Sequence, residues 1–236
     1  MNTNNATLTI PSSQRKVSLA AGILYLLTFV SIPTLALYRP VKRANYVIGA
    51  GPDTAVIFGG VLEIIVALAG IGTAVVLFRV LKKRNEGVAL GLVAARVLEA
   101  STIFLGVAFL LSVVTLRKAG AGANALVTSH ALVALYDRIF LLGQSFMPAL
   151  DDLLLGFLLY QSRLVPRALS RIGLAGAPLL VAGYIAVLFG LIGQHSSLAG
   201  LSAFPVALFE FSLGVWLVVK GFDPEAVAAL EAKTRV

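Results

Sequence analysis

Six stretches of about twenty apolar residues alternate with short polar, basic segments along the chain: roughly 17–38, 54–78, 88–116, 130–160, 172–193 and 201–219. Each is long enough to cross a bilayer as a helix. Polar residues interrupt the fourth stretch regularly. His130, Asp137, Gln144 and Asp151 recur every seventh position, and Arg138, Ser145 and Asp152 follow one residue behind. Seven residues is close to two helical turns, so each stripe is expected on nearly one face of a helix. Ionisable side chains in a membrane cost at least a few kcal/mol each, so such a stripe belongs on a bundle interior or an aqueous cavity.

Small residues share the same spacing. Gly176, Gly183 and Gly190 mark the fifth span, Gly200, Ala207, Gly214 and Gly221 the sixth, and Gly60, Ala67 and Ala74 the second. Stripes of this kind let helix backbones approach closely where hydrophobicity supplies no driving force, here with left-handed crossings near +20°. Pro33, Pro148 and Pro178 fall inside spans, and each frees the carbonyl four residues earlier. Pro148 bends the fourth span between Gln144 and Asp151 and leaves the Gln144 carbonyl bare beside two carboxylates.

Composition excludes a soluble reading. The 236-residue chain is 58% hydrophobic and 13% charged, with a mean hydropathy of +0.94, more apolar surface than one soluble core can hide. Cysteine is absent, which removes disulfides, thiolate metal sites and redox pairs. Lys plus Arg exceed Asp plus Glu by 19 to 11. Because the basic residues sit between apolar segments, they act as topology determinants and headgroup contacts, and no nucleic-acid partner is expected. Twelve of them fall on the side of the termini and five, Arg39, Lys42, Arg43, Arg117 and Lys118, on the other. The positive-inside rule therefore predicts cytoplasmic termini. The organisation expected is a disordered tail over 1–16, a six-span domain over 17–221, and a short cytoplasmic tail over 222–236. The fold class is all-α, a polytopic six-helix bundle in a bacterial cytoplasmic membrane.

Depth along a helix follows from about 1.5 Å per residue. From the cytoplasmic boundary, Arg96 and Glu99 lie at roughly 12 and 16 Å, Asp152 and Asp151 at roughly 12 and 14 Å, and Glu210 at roughly 14 Å. Three helices thus place charge at one level, with Glu63 deeper and Asp137 and Arg138 in the outer half. Were the fourth span to begin at Ile139, residues 130–138 would form an outer-surface helix, while Asp151 and Asp152 would stay buried. One arginine faces four acids in this layer and neutralises one or two. The others must be protonated, bind a cation, or meet water. These are elements of a proton or cation path, of a small-ligand site, or of acid/base catalysis on a lipid. The competing reading is a salt-bridge knot that pins helices three, four and six.

Other chemistry is poorly supplied. Only His130 and His195 are present, so a three-histidine zinc site is impossible, and the HExxH, GxSxG, P-loop and GxGxxG patterns are absent. No metal set is expected, and the residues name no cofactor. The partners expected are the bilayer, a small ligand or cation, and a helix-mediated oligomer or larger complex, the last giving an accessory-subunit reading.

Four stretches resemble a bacterial membrane family catalogued as domain of unknown function 4386. They are Arg15-Lys16 followed by AGILYLLTFVSIP, AARVLEA at 94–100, GFLLYQSRLVPRALSRIGLAGAPLLVAGYI at 156–185, and FEFSLGVWLVVKG at 209–221. The third is the most specific. The resemblance implies six spans, with Arg96, Glu99 and Glu210 at the family's polar positions. It implies no activity.

Overall fold

The computed structural model describes residues 11–233; the expected disordered tail thus falls partly outside the described residues. Its last five positions do not form a tail, because helix α1 (Ser12–Thr28) already starts at Ser12. Arg15 holds it there by donating to the carbonyl oxygens of Leu217 and Val218 on the last span. The first span then continues through a tight turn at Phe29–Ser31 into a short α2 (Thr34–Leu37). Pro33, which has no N–H to continue the α-helical ladder, stands at that break.

The remaining spans are α3 (Asp53–Leu81), α4 (Glu86–Lys118), α5 (Leu126–Phe140) joined to α6 (Met147–Ser162), α7 (Arg167–Leu188) and α8 (Ser197–Val219). Among the described residues every regular element is helical. Six helical segments are long and apolar enough to cross a membrane, as the pattern predicts. Each span packs on the spans before and after it in sequence, and α1 returns to α8, so the six close into a ring. Outward positions such as Leu68, Leu98, Phe104, Leu179 and Phe204 are exposed large hydrophobics, the surface that a lipid solvent accepts. Inside, Tyr25, Leu77, Leu155, Phe209 and Leu213 form the largest core cluster. Past the sixth span, where a simple tail is expected, α9 (Pro224–Lys233) folds back and buries Val227 and Leu230 in that cluster. Both ends of the described chain meet on one face: Gln14 donates to Glu231 at 3.2 Å, and Lys83 pairs with the same carboxylate at 3.6 Å.

Two parts of the expected packing are corrected. The fifth span runs from Arg167 to Leu188, not from 172 to 193, so Gly190 lies outside it. Gly190 and Gly221 adopt φ of +70° and +80° past helix ends, where a residue without Cβ is favoured, and belong to no packing stripe. The α7–α8 contact uses the expected Gly176 and Gly183, with Gly173 in addition. A Cβ on Gly173 would lie 2.6 Å from the Phe209 ring, and one on Gly176 would lie 2.9 Å from Pro205. Pro205 itself is a fourth intramembrane proline, inside α8. On α1, Gly22 faces Gly214 so closely that a Cβ would stand 2.7 Å from the Gly214 carbonyl oxygen. The stripe of α3 packs as expected, with Ala67 buried against Ala100, Ile103 and Val107 of α4.

The fourth span departs most from a plain helix. Between α5 and α6, residues Leu141–Phe146 form a π-helical turn, directly before Pro148 in the first turn of α6. A wider turn takes up the missing N–H, and Gly143 lets it press on Thr102 of α4. The first stripe keeps bundle partners on both sides of this turn, whereas the second does not stay on one face. Asp152 is fully buried while Arg138 is exposed.

Candidate functional site

Arg96 sits at the centre of the inner layer. It is 4% exposed on α4, and three of its nitrogens reach carboxylates from three helices. Nη1 donates to Glu99 Oε2 at 2.9 Å, one helical turn along the same face. Nη2 donates to Glu210 Oε1 of α8 at 2.6 Å. Nε lies 3.3 Å from Asp151 Oδ2 of α6. The Tyr25 hydroxyl accepts from Nη2 at 3.4 Å, and the guanidinium stands 5.7 Å from that ring's centre. Tyr25 is a member the charge pattern does not reveal. Its signal in the sequence is the single tyrosine within α1.

Asp151 and Asp152 are both inaccessible to solvent, at 0% exposure. Asp151 has the ion pair to Arg96, but neither of its carboxylate oxygens has a hydrogen-bond partner among the described residues. Neither carboxylate oxygen of Asp152 has a hydrogen-bond partner among the described residues. The five residues placed at one depth by helix arithmetic are therefore neighbours. Gly70 of α3 lines the same cluster, where a Cβ would stand 3.8 Å from Arg96 and 3.9 Å from Glu99, ordinary contact distances.

Glu63 stands apart from this cluster. It is 1% exposed on α3 and accepts from the Tyr136 hydroxyl at 3.0 Å and from Gln144 Nε2 at 3.4 Å. Tyr38 closes the other side, edge-on to Tyr136 at 5.5 Å between ring centres. Asp137 is more peripheral, half-buried and paired with Lys42 Nζ at 2.7 Å. Exposed Arg138 joins neither group. His130 is also outside them, its Nε2 lying 2.8 Å from the Ala44 carbonyl oxygen.

A cavity of about 570 Å³ opens above the Glu63 group, on the side away from the termini. Tyr38, Tyr136 and Gln144 form part of its wall, so the residues that hold Glu63 also face this space. Lys42, Arg39 and His195 line it as well.

These features define an all-α membrane protein with six spans closed in a ring around buried acid groups. The chain belongs to the family described as domain of unknown function (DUF4386), whose model matches residues 20–221. No curated protein and no solved structure matches it.

Proposed function

We propose that this is a bacterial inner-membrane protein, with its termini in the cytoplasm, whose inner acid cluster takes up and releases a proton. Asp152 carries the reading: a carboxyl group with no exposure and no hydrogen-bond donor among the described residues, beside an arginine already committed to three other acids. A buried charge without a partner is costly, and one bound proton removes that charge. A metal cation would serve the same balance, but Arg96 occupies the middle of the acids and repels one. The charge asymmetry of the loops, twelve cations against five, supports the orientation.

Infrared spectroscopy of the full chain in lipid nanodiscs tests this. A protonated-carboxyl C=O band is expected at neutral pH, diminished in Asp152→Asn. Absence of such a band in the wild-type protein would overturn the proposal and leave a fully ionised, structural cluster.

A further inference from the structure

We infer that the cavity on the side away from the termini is a binding site for a single-chain anionic amphiphile: a carboxylate or phosphate group on one hydrocarbon tail. This site is separate from the inner acid cluster. Its volume of about 570 Å³ lies within the range of about 300–1,000 Å³ common to small-molecule sites. The walls are apolar, made by Phe140 and Leu141 at the π-turn, Leu180 and Val187 of α7, and Ala199 and Ala203 of α8. Leu180 to Val187 spans seven residues, so the apolar wall runs about 10 Å along α7. That geometry accepts one tail.

The polar residues are distributed unevenly around it. Arg39 and Lys42 come from the segment after α2, and His195 comes from the segment between α7 and α8. Lys42 is already paired with Asp137. Arg39 makes no ion pair among the described residues, and no acidic side chain lines the cavity. The unmatched charge at its rim is therefore positive, and an anion is the complement. A neutral lipid would fill the walls and leave Arg39 unused. A small inorganic anion would satisfy Arg39 and leave the apolar walls bare. Both features together select an amphiphile.

The test is equilibrium binding of radiolabelled dodecanoate to the full chain in phosphatidylcholine nanodiscs, with empty discs subtracted. Saturable binding is expected, displaced by dodecyl phosphate and not by dodecanol. Arg39→Gln should weaken it about tenfold, the scale of one charge-assisted hydrogen bond. Gly200→Leu should weaken it, since Gly200 lines the cavity and a Cβ there meets no atom within 4 Å, leaving space for the added side chain. Competition by phosphatidylglycerol built into the discs would identify a two-chain bilayer lipid as occupant and overturn the single-tail reading, and its failure would support a free single-chain amphiphile. Binding no greater than in empty discs, dodecanol competing as well as dodecyl phosphate, or Arg39→Gln binding like wild type would each overturn the inference. The Arg39→Gln arm stands even if the Gly200 variant fails to fold.

Discussion

Gln144 reaches Glu63 from a π-helical turn, its Nε2 donating to Glu63 Oε1 at 3.4 Å while its side chain also borders the outer cavity. The contact joins the fourth span to the second at a level between two ion-pair layers. Above it, Asp137 pairs with Lys42; below it, Asp151 pairs with Arg96. Each member of the seven-residue stripe meets a partner from a different part of the chain, and His130 at the top meets the Ala44 carbonyl. The fourth span is thus tied across the bundle at successive depths, with the Asp151 tie buried, the Gln144 tie part-buried and the Lys42 pair partly exposed.

Removing Arg96 should be severe. Arg96→Ala leaves three acids without their shared cation, and breaking a buried pair from one side costs about 3–5 kcal/mol. A large drop in thermal midpoint in detergent is expected, with part recovered in Arg96→Ala/Glu210→Gln because the nearest stranded charge is then gone. A double-mutant cycle measures the coupling. Additive losses would mean that the 2.6 Å contact carries no interaction energy.

Tyr136→Phe tests the middle level. It strips one of the two donors from a carboxyl group that is 1% exposed, at a cost of about 1–3 kcal/mol. Glu63→Gln in the same background should recover most of that loss. Lys42→Ala, by contrast, breaks a half-exposed pair and should cost about 1 kcal/mol or less, falling with added salt.

Two glycines on neighbouring helices should respond in opposite directions. Gly173→Ala places a methyl group 2.6 Å from the Phe209 ring and should destabilise by about 1–3 kcal/mol through overpacking. Gly200→Ala meets nothing within 4 Å and should be neutral or stabilising by up to about 1 kcal/mol, the helix-propensity difference. Chemical denaturation of the two variants decides between packing and propensity.

Alkaline stability should depend on Tyr46, which lies between the first and second spans. Burial holds its hydroxyl well above the ordinary tyrosine range, and donation to Asp53 at 2.6 Å adds to the effect. A raised folded-state pKa gives a stability contribution that is complete below the unfolded value of about 10 and is lost as pH rises through the folded one. The thermal midpoint should therefore fall above about pH 10, and more gently in Tyr46→Phe. Equal slopes for the two proteins would remove Tyr46 from the account.

Reporter fusions check the orientation. A fusion after Lys233 should read cytoplasmic, and one within residues 194–200 should read from the opposite side. Equal signals would contradict a six-span path.

The sequence by itself determined the six spans, because length and apolarity are properties of each segment alone and lipid imposes one requirement on all of them. It also determined which polar residues share a depth, since helical rise is fixed: Arg96, Glu99, Asp151, Asp152 and Glu210 are neighbours as that arithmetic requires. Tertiary structure decided which acid faces which base. Direction around a helix depends on its rotation and on local winding, and Asp152 is buried while Arg138 is exposed although both follow the same spacing. It likewise decided that Tyr25 joins Arg96, that Glu63 joins Tyr136, and that residues from α2, α5, α7 and α8 enclose one cavity. Those pairings join positions 71 and 73 residues apart and arise only when the ring of helices closes.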